Sequence, residues 1–390
     1  MSFYDDASLI MIPSGVKAGT VYSQKPMDSD GQFTFTRASE ATRLVDGVVT
    51  KVRTNSALSS GDISTQSAYW GANQSGSTTQ NSDIAPDGTT TASTITSPGT
   101  SYGGVNQILV TSASRFTYSV YLKAVSGTPL VSLIFSDTNG LQKADFTLST
   151  SWQRCDFTAT LAAGTNSIYI TSAQSVSWNA WGAQFEQGTV ATDYIATTTV
   201  AVSEGPVANM PRLNSVAGGC PSLLLEPQRT NAFTQSEYFG DAIWVKGDLT
   251  VVDNSITSPD GSVNASKIIP NANNVVHRLQ FLGSQTATYS ISVYAKAAGY
   301  DRLIIAASNL SYSVFNLTTG TESHYSSIGV SSRSIESVGN GWYRCTVIGS
   351  SDSGASISLM AYNADLPSGN PTFSGDGTSG IYTYGAQVEA

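Results

Sequence analysis

Charge is scarce in this sequence. Asp, Glu, Lys and Arg make up only 12% of its 390 residues, about half the share of an ordinary globular chain. Helices draw on Ala, Leu, Glu, Lys and Arg. The Ser, Thr, Asn and Gly that fill the gap suit sheet surfaces and turns. The charge present sums to −9 and is spread along the chain, which excludes a nucleic-acid binder with its basic face. Histidine is nearly missing: His277 and His324 are the whole supply. With none before position 277, no Ser/His/Asp set can be built in the first half. The three cysteines include no closely spaced pair, which excludes a disulfide scaffold or a zinc ribbon. The apolar run LIMI, Leu9 to Ile12, is too short for a signal core or a membrane span. The expectation is a chain made in a reducing cytosol, not exported by a classical signal peptide and not inserted in a membrane. A phosphate-cradling loop is missing too, since GDGTSG (375–380) lacks the required Lys and the strand–helix setting.

What is present is repetition. The tripeptide RTN stands at Arg53–Asn55 and again at Arg229–Asn231. Beyond each copy the same blocks follow in the same order. APDGTTTASTI from Ala85 answers SPDGSVNASKI from Ser258, and FTYSVYLKA (116–124) answers YSISVYAKA (289–297). SWQRC (151–155) answers GWYRC (341–345), and WGAQFE (181–186) answers YGAQVE (384–389). Blocks recurring in one order with similar gaps mean two copies of one module. The division is 1–52 as an N-terminal extended segment, 53–197 and 229–390 as the modules, and 198–228 as a connector.

The module is β. In FTYSVYLKA, Phe116, Tyr118, Val120 and Leu122 fall on one face, with Thr117, Ser119, Tyr121 and Lys123 on the other. The second copy keeps that register, with Tyr289, Ile291, Val293 and Ala295 inside. Period-2 alternation marks a strand with one buried face, and a one-residue slip would exchange the faces. NSIYIT (166–171) and ISLMAY (357–362) read as further strands. With no long 3.6-residue period, the fold class is all-β: two tandem antiparallel jelly-roll β-sandwiches after an extended N-terminal segment.

The blocks FTFTRASEATRL, ANMPRL, CPSLLLEPQRTN, GNGWYRC and WGAQFE…ATDYIATT, with the opening SLIMIPSGVKAGTVYSQKP, resemble a family of bacteriophage virion proteins. These are head- or tail-fibre and spike proteins with tandem carbohydrate-binding-module-like jelly rolls, and the resemblance covers nearly the whole chain. It implies synthesis in the host bacterial cytoplasm, a place on the virion surface, and contact of residues 1–50 with other virion proteins of the capsid or tail. It also implies a homo-oligomer, dimer or trimer, and host-surface glycan as partner. RTN then marks the opening strand of each module. Two other readings stay open: a purely structural decoration without glycan binding, and a polysaccharide-degrading tailspike.

The candidate residues follow from this. Sugars stack on flat aromatic faces beside polar groups. Aromatics matched between the copies (Trp152/Trp342, Trp181/Tyr384, Trp70/Trp244) read as packing. The unmatched Tyr69, Tyr102, Trp178, Tyr325 and Tyr362, with Tyr121 and Tyr294 on a polar strand face, are the ligand candidates. Arg154 and Arg344 are expected to pair with carboxylates at a sandwich edge. Asp87, Glu186, Asp260 and Glu389 are candidate oxygen ligands for a structural calcium. Cys155 and Cys345 read as small buried hydrophobes. No catalytic residue is assigned, and the chain is expected not to be an enzyme.

Overall fold

Alternating Thr/Ser and apolar residues, cut by turn signals every few positions, leave strands as almost the only regular structure. A computed structural model describes all residues except 1–2, 18–19, 28, 35, 38–39, 46–47, 100, 215–221, 225–229, 308–311, 325–328, 364–371 and 390. For residues 3–4, 12–17, 29, 44, 282–287 and 351–355 it describes the backbone alone. The chain divides into two compact units, Thr36–Thr42 with Lys51–Met210, and Met1–Phe35 with Arg43–Thr50 and Pro211–Ala390. The expected extended N-terminal segment pairs with itself: Ile10–Lys17, Thr20–Lys25 and Phe33–Thr34 make a three-stranded antiparallel sheet, and Arg43–Val45 pairs with Val48–Thr50.

The first module is a sandwich of two five-stranded antiparallel sheets. One runs Gly140–Thr147, Leu130–Asp137, Gly164–Ser172, Gly103–Thr111, Gly71–Asn73. The other runs Gln153–Leu161, Ser114–Ala124, Ser175–Gln187, Ala92–Pro98, Ser77–Asp83. Between them lies one apolar core holding Tyr118, Val120, Leu122, Val131, Leu133, Phe135, Ile168, Ile170, Trp178 and Phe185. Phe116 stacks on Phe185 at 4.8 Å, and Phe135 meets Phe185 edge-on at 5.9 Å, both favoured aromatic geometries. The expected inner face of 116–122 is therefore buried. Thr117 and Ser119, expected outside, are buried as well. Thr117 bonds Thr158 Oγ1, and Ser119 lies under the Arg154 guanidinium.

The second module repeats the plan with fewer breaks. Arg278–Ala298 and Trp342–Tyr362 each run for 21 residues, where the first module interrupts the chain at 112–113 and 162–163. Their pairing slips near Gln285, a local irregularity of the kind that bends a strand. The core again lies between inward-facing residues, among them Tyr289, Ile291, Val293, Leu303, Ile305, Phe315, Val347, Leu359 and Ile381.

Candidate functional site

The repeated motifs are fixtures of the fold. The Asn of each RTN clips its module shut. Asn55 Oδ1 accepts the N–H groups of Ala57 and Phe185, both at 3.0 Å, while Nδ2 donates to the carbonyls of Ala183 and Ile195. Asn231 does the same with Phe233 N–H, Val388 N–H and the Ala386 carbonyl. In the GAQ motif, Val120 faces both Gly182 and Ala183, and Val293 faces both Gly385 and Ala386, the two-against-one count of a β-bulge. Both glycines have positive φ, 68° and 60°, the conformation such a bulge favours glycine for. Trp152 Nε1 donates to the Ile84 carbonyl, and its counterpart Trp342 donates to that of Thr257. The family-like block at Arg37 meets the block at 206–210: the guanidinium donates to the carbonyls of Pro206, Val207 and Met210.

The calcium candidates are engaged elsewhere. Asp87 Oδ1 caps its own turn by accepting Thr89 N–H and Oγ1. Asp260 repeats this with Ser262 N–H and also accepts Asn264 Nδ2 and the Tyr384 hydroxyl. Glu186 is buried and takes three donors, Thr192 N–H, Thr192 Oγ1 and Gln184 Nε2, thereby strapping the ATDYIATT segment to the sandwich. Glu389 accepts Gln387 Nε2. Among the described residues no three His, Cys, Asp or Glu side chains gather into a metal-binding group. Asp87 and Glu186 belong to one unit and Asp260 and Glu389 to the other, and each of the four accepts a donor of the protein.

Several ligand candidates also prove to be packing. Trp178 is 0% exposed inside the first core. Its counterpart is Ile381, equally buried, so an apolar position changed residue type without leaving the core. Tyr362 is 6% exposed and packs edge-on against Phe373 at 4.8 Å. Tyr121 lies between the Arg154 guanidinium at 5.5 Å and Trp181 at 5.8 Å. Tyr294 lies in the same way between Arg344 at 6.0 Å and Tyr384 at 6.1 Å. Burial pushes the Tyr294 phenol above its ordinary range. The two arginines bond Ser119 and Ser292 rather than carboxylates, and cation–π stacking fixes them. Tyr69 packs partly buried against the first core with its hydroxyl directed to the Thr199 carbonyl. Tyr325 lies outside the described residues. Cys155 and Cys345 are buried and unpaired. His277 is buried, with its ring nitrogens against the Asp248 and Phe373 carbonyls.

Among the described residues, Tyr102 alone of the aromatic candidates lands on an open surface. It is 37% exposed, beside the outer face of the sheet containing 103–111, 130–137, 140–147 and 164–172. Three rows cross that face. Asp145, Ser132, Thr171 and Gly104 form the first. Lys143, Ile134, Tyr169 and Asn106 form the second, and Leu141, Ser136, Ser167 and Ile108 the third. Lys143 Nζ sits 2.8 Å from Asp145 Oδ2 and 5.4 Å from the centre of the Tyr102 ring. Asp145 also accepts Ser132 Oγ at 2.6 Å. The Lys143 ammonium, then Ser132, hold the Asp145 carboxyl below its usual range, and Asp145, then Tyr102, hold Lys143 above its own. The Thr171 hydroxyl is buried with no partner. Ile108 and Leu141 stand 65% and 70% exposed at the row's two ends, with the two serines between them. The face thus offers an aromatic ring, an amide, an ion pair and aliphatic walls, the mixture that grips a polyhydroxylated ring.

The second module lacks this surface. FTL at 146–148 and FNL at 315–317 align, since Phe146 pairs with Val131 and Phe315 with Leu303. On that alignment Asp145, Ser132 and Thr171 correspond to Val314, Ile304 and Met360, which form an apolar row. The module's own Phe373 packs against it, its strand Thr372–Phe373 paired with Val275–Val276. Tyr169, Lys143, Asp145 and Asn106 were not foreseen from the sequence. The signal for Tyr169 was available in NSIYIT, where it alternates with Ile168 and Ile170.

No family profile and no curated protein matches the sequence. Among solved structures, the chain is similar to the N-terminal CBM22-1-CBM22-2 tandem domain from Paenibacillus barcinonensis Xyn10C. That match has 13% identity, covers 91% of this chain and 99% of that one, and has a TM-score of 0.31. The CBM22-1 xylan-binding domain of the same protein matches at 19% identity over 35% of this chain and 94% of its own, with a TM-score of 0.28. The enzymatically active domain of bacteriophage CBA120 tailspike protein 4 matches at 14% identity over 33% of this chain and 21% of its own, with a TM-score of 0.26.

Proposed function

We propose that the first module is a non-catalytic sugar-binding β-sandwich, and that the chain presents it at a phage surface for adhesion to host glycan. The observation that carries this reading is the contrast between equivalent faces. Two copies of one module keep the same Asn clip, bulge and Trp anchor, yet only one keeps a polar and aromatic open face. Packing needs do not explain the Asp145–Lys143 ion pair and Ser132 in the first copy, because the second folds with Val314, Tyr312 and Ile304 at the corresponding positions. The virion placement, the homo-oligomer and the anchoring through residues 1–50 rest on the sequence resemblance. Binding by several such modules on one particle would multiply a weak single-site affinity.

The second module favours the structural reading for itself, because Phe373 occupies its face. The test is affinity electrophoresis of the full chain through gels containing host polysaccharide, with and without EDTA. Retardation lost in Tyr169→Ala, with an unchanged melting temperature, supports the reading. Retardation unchanged in Tyr169→Ala and Tyr102→Ala, or absent in the parent chain, overturns it.

A further inference from the structure

We propose that the open face of the first module takes an electrically neutral sugar chain and discriminates against acidic ones; this rests on reading that face as a glycan site. The face carries one cation and one anion, Lys143 and Asp145, and they neutralise each other at 2.8 Å. Each is held by a further neutral group as well, Asp145 by Ser132 Oγ and Lys143 by the Tyr102 ring. The rest of the three rows carries no formal charge: Tyr169, Asn106, Leu141, Ser136, Ser167 and Ile108, over Gly104 and the buried Ser132, Thr171 and Ile134.

A uronate, sulfate or phosphate needs a cation to spare. To obtain Lys143 it would have to draw the ammonium away from Asp145, leaving a carboxylate beside the incoming anion, where like charges repel. The formal charge of −9 adds a field of the same sign. A neutral chain meets no such conflict. Its hydroxyls donate to Asp145 and accept from Lys143 without separating the pair. Its apolar ring faces meet Tyr169, Ile108 and Leu141, and Asn106 offers a donor and an acceptor.

The experiment is affinity electrophoresis of the full chain against hydroxyethyl cellulose, galactomannan and dextran as neutral probes, and polygalacturonate and alginate as acidic ones, at low and high salt. The expected result is retardation by at least one neutral probe, independent of salt, with acidic probes bound at least ~10-fold more weakly. Asp145→Asn leaves Lys143 uncompensated, and that variant should gain salt-sensitive retardation by polygalacturonate. If the parent chain binds an acidic probe, and that binding falls with salt and disappears in Lys143→Ala, the proposal fails while the glycan reading stands. If every probe and a broad glycan array give no retention, the glycan reading fails, and the proposal with it.

Discussion

Replacing Asn55 by Ala tests the account of the repeated tripeptide. Asn55 is fully buried and makes four hydrogen bonds to backbone. Alanine can make none of them, so two N–H groups and two carbonyls lose their partner inside the sandwich. At about 1 kcal/mol net per lost bond, the variant should be less stable by about 4 kcal/mol. In a unit of this size that is a fall of about 8–16 °C in melting temperature. Asn231→Ala loses three such bonds and should cost about 3 kcal/mol on the same basis. Hydrogen exchange gives the local readout. Asn55→Ala should release the amides of Ala57 and Phe185 and leave those of Phe233 and Val388 protected; Asn231→Ala should do the reverse. A loss below about 1 kcal/mol, or exchange rising equally in both modules, would refute the idea that each Asn shuts its own module.

Gly182→Ala places a Cβ on a backbone with φ of 68° and only 3.1 Å from the Tyr121 ring; a loss of about 1–2 kcal/mol in chemical denaturation is expected, and none would mean the bulge is not required. Trp178→Ala should cost about 3–5 kcal/mol by the same assay, whereas a stable variant with lost sugar binding would restore Trp178 as a ligand residue. Burial pushes the Cys155 thiol from its ordinary 9.0 up to about 11, so its reaction with iodoacetamide in the native protein should stay slow at pH 8. Because the folded value is the higher one, the contribution of Cys155 to stability should be constant below pH 9.0 and be lost as pH climbs toward about 11. An alkaline fall between pH 9.0 and about 11 that is not reduced in Cys155→Ala would contradict that assignment.

The fold was legible because duplication printed it twice. Asn55 and Asn231, Gly182 and Gly385, and Trp152 and Trp342 recur because each sits where the backbone demands a particular hydrogen bond or dihedral angle. The site was legible only at Tyr102. Trp178 misleads because a core position constrains apolar volume and not residue type, so an aromatic can face Ile381 across the repeat and remain buried. Tyr362 misleads for the opposite reason. Its cover comes from Phe373, beyond the unmatched stretch of the second copy, and no local alternation reveals a neighbour so brought in. Lys143 and Asp145 look like ordinary solvated charges in the string QKADF. Only the pairing of their strand with Ser132 and Ile134 places them on the same face as Tyr169.

The Arg37 clasp bears on how such a chain changes over generations. The guanidinium gathers carbonyls from 206–210, while Arg53–Asn55 pairs with Val202–Glu204 just inside it. The stretches leading into and out of the first module are thus stitched side by side. A module whose two ends meet at one seam can be exchanged for another of the same plan by recombination at that seam.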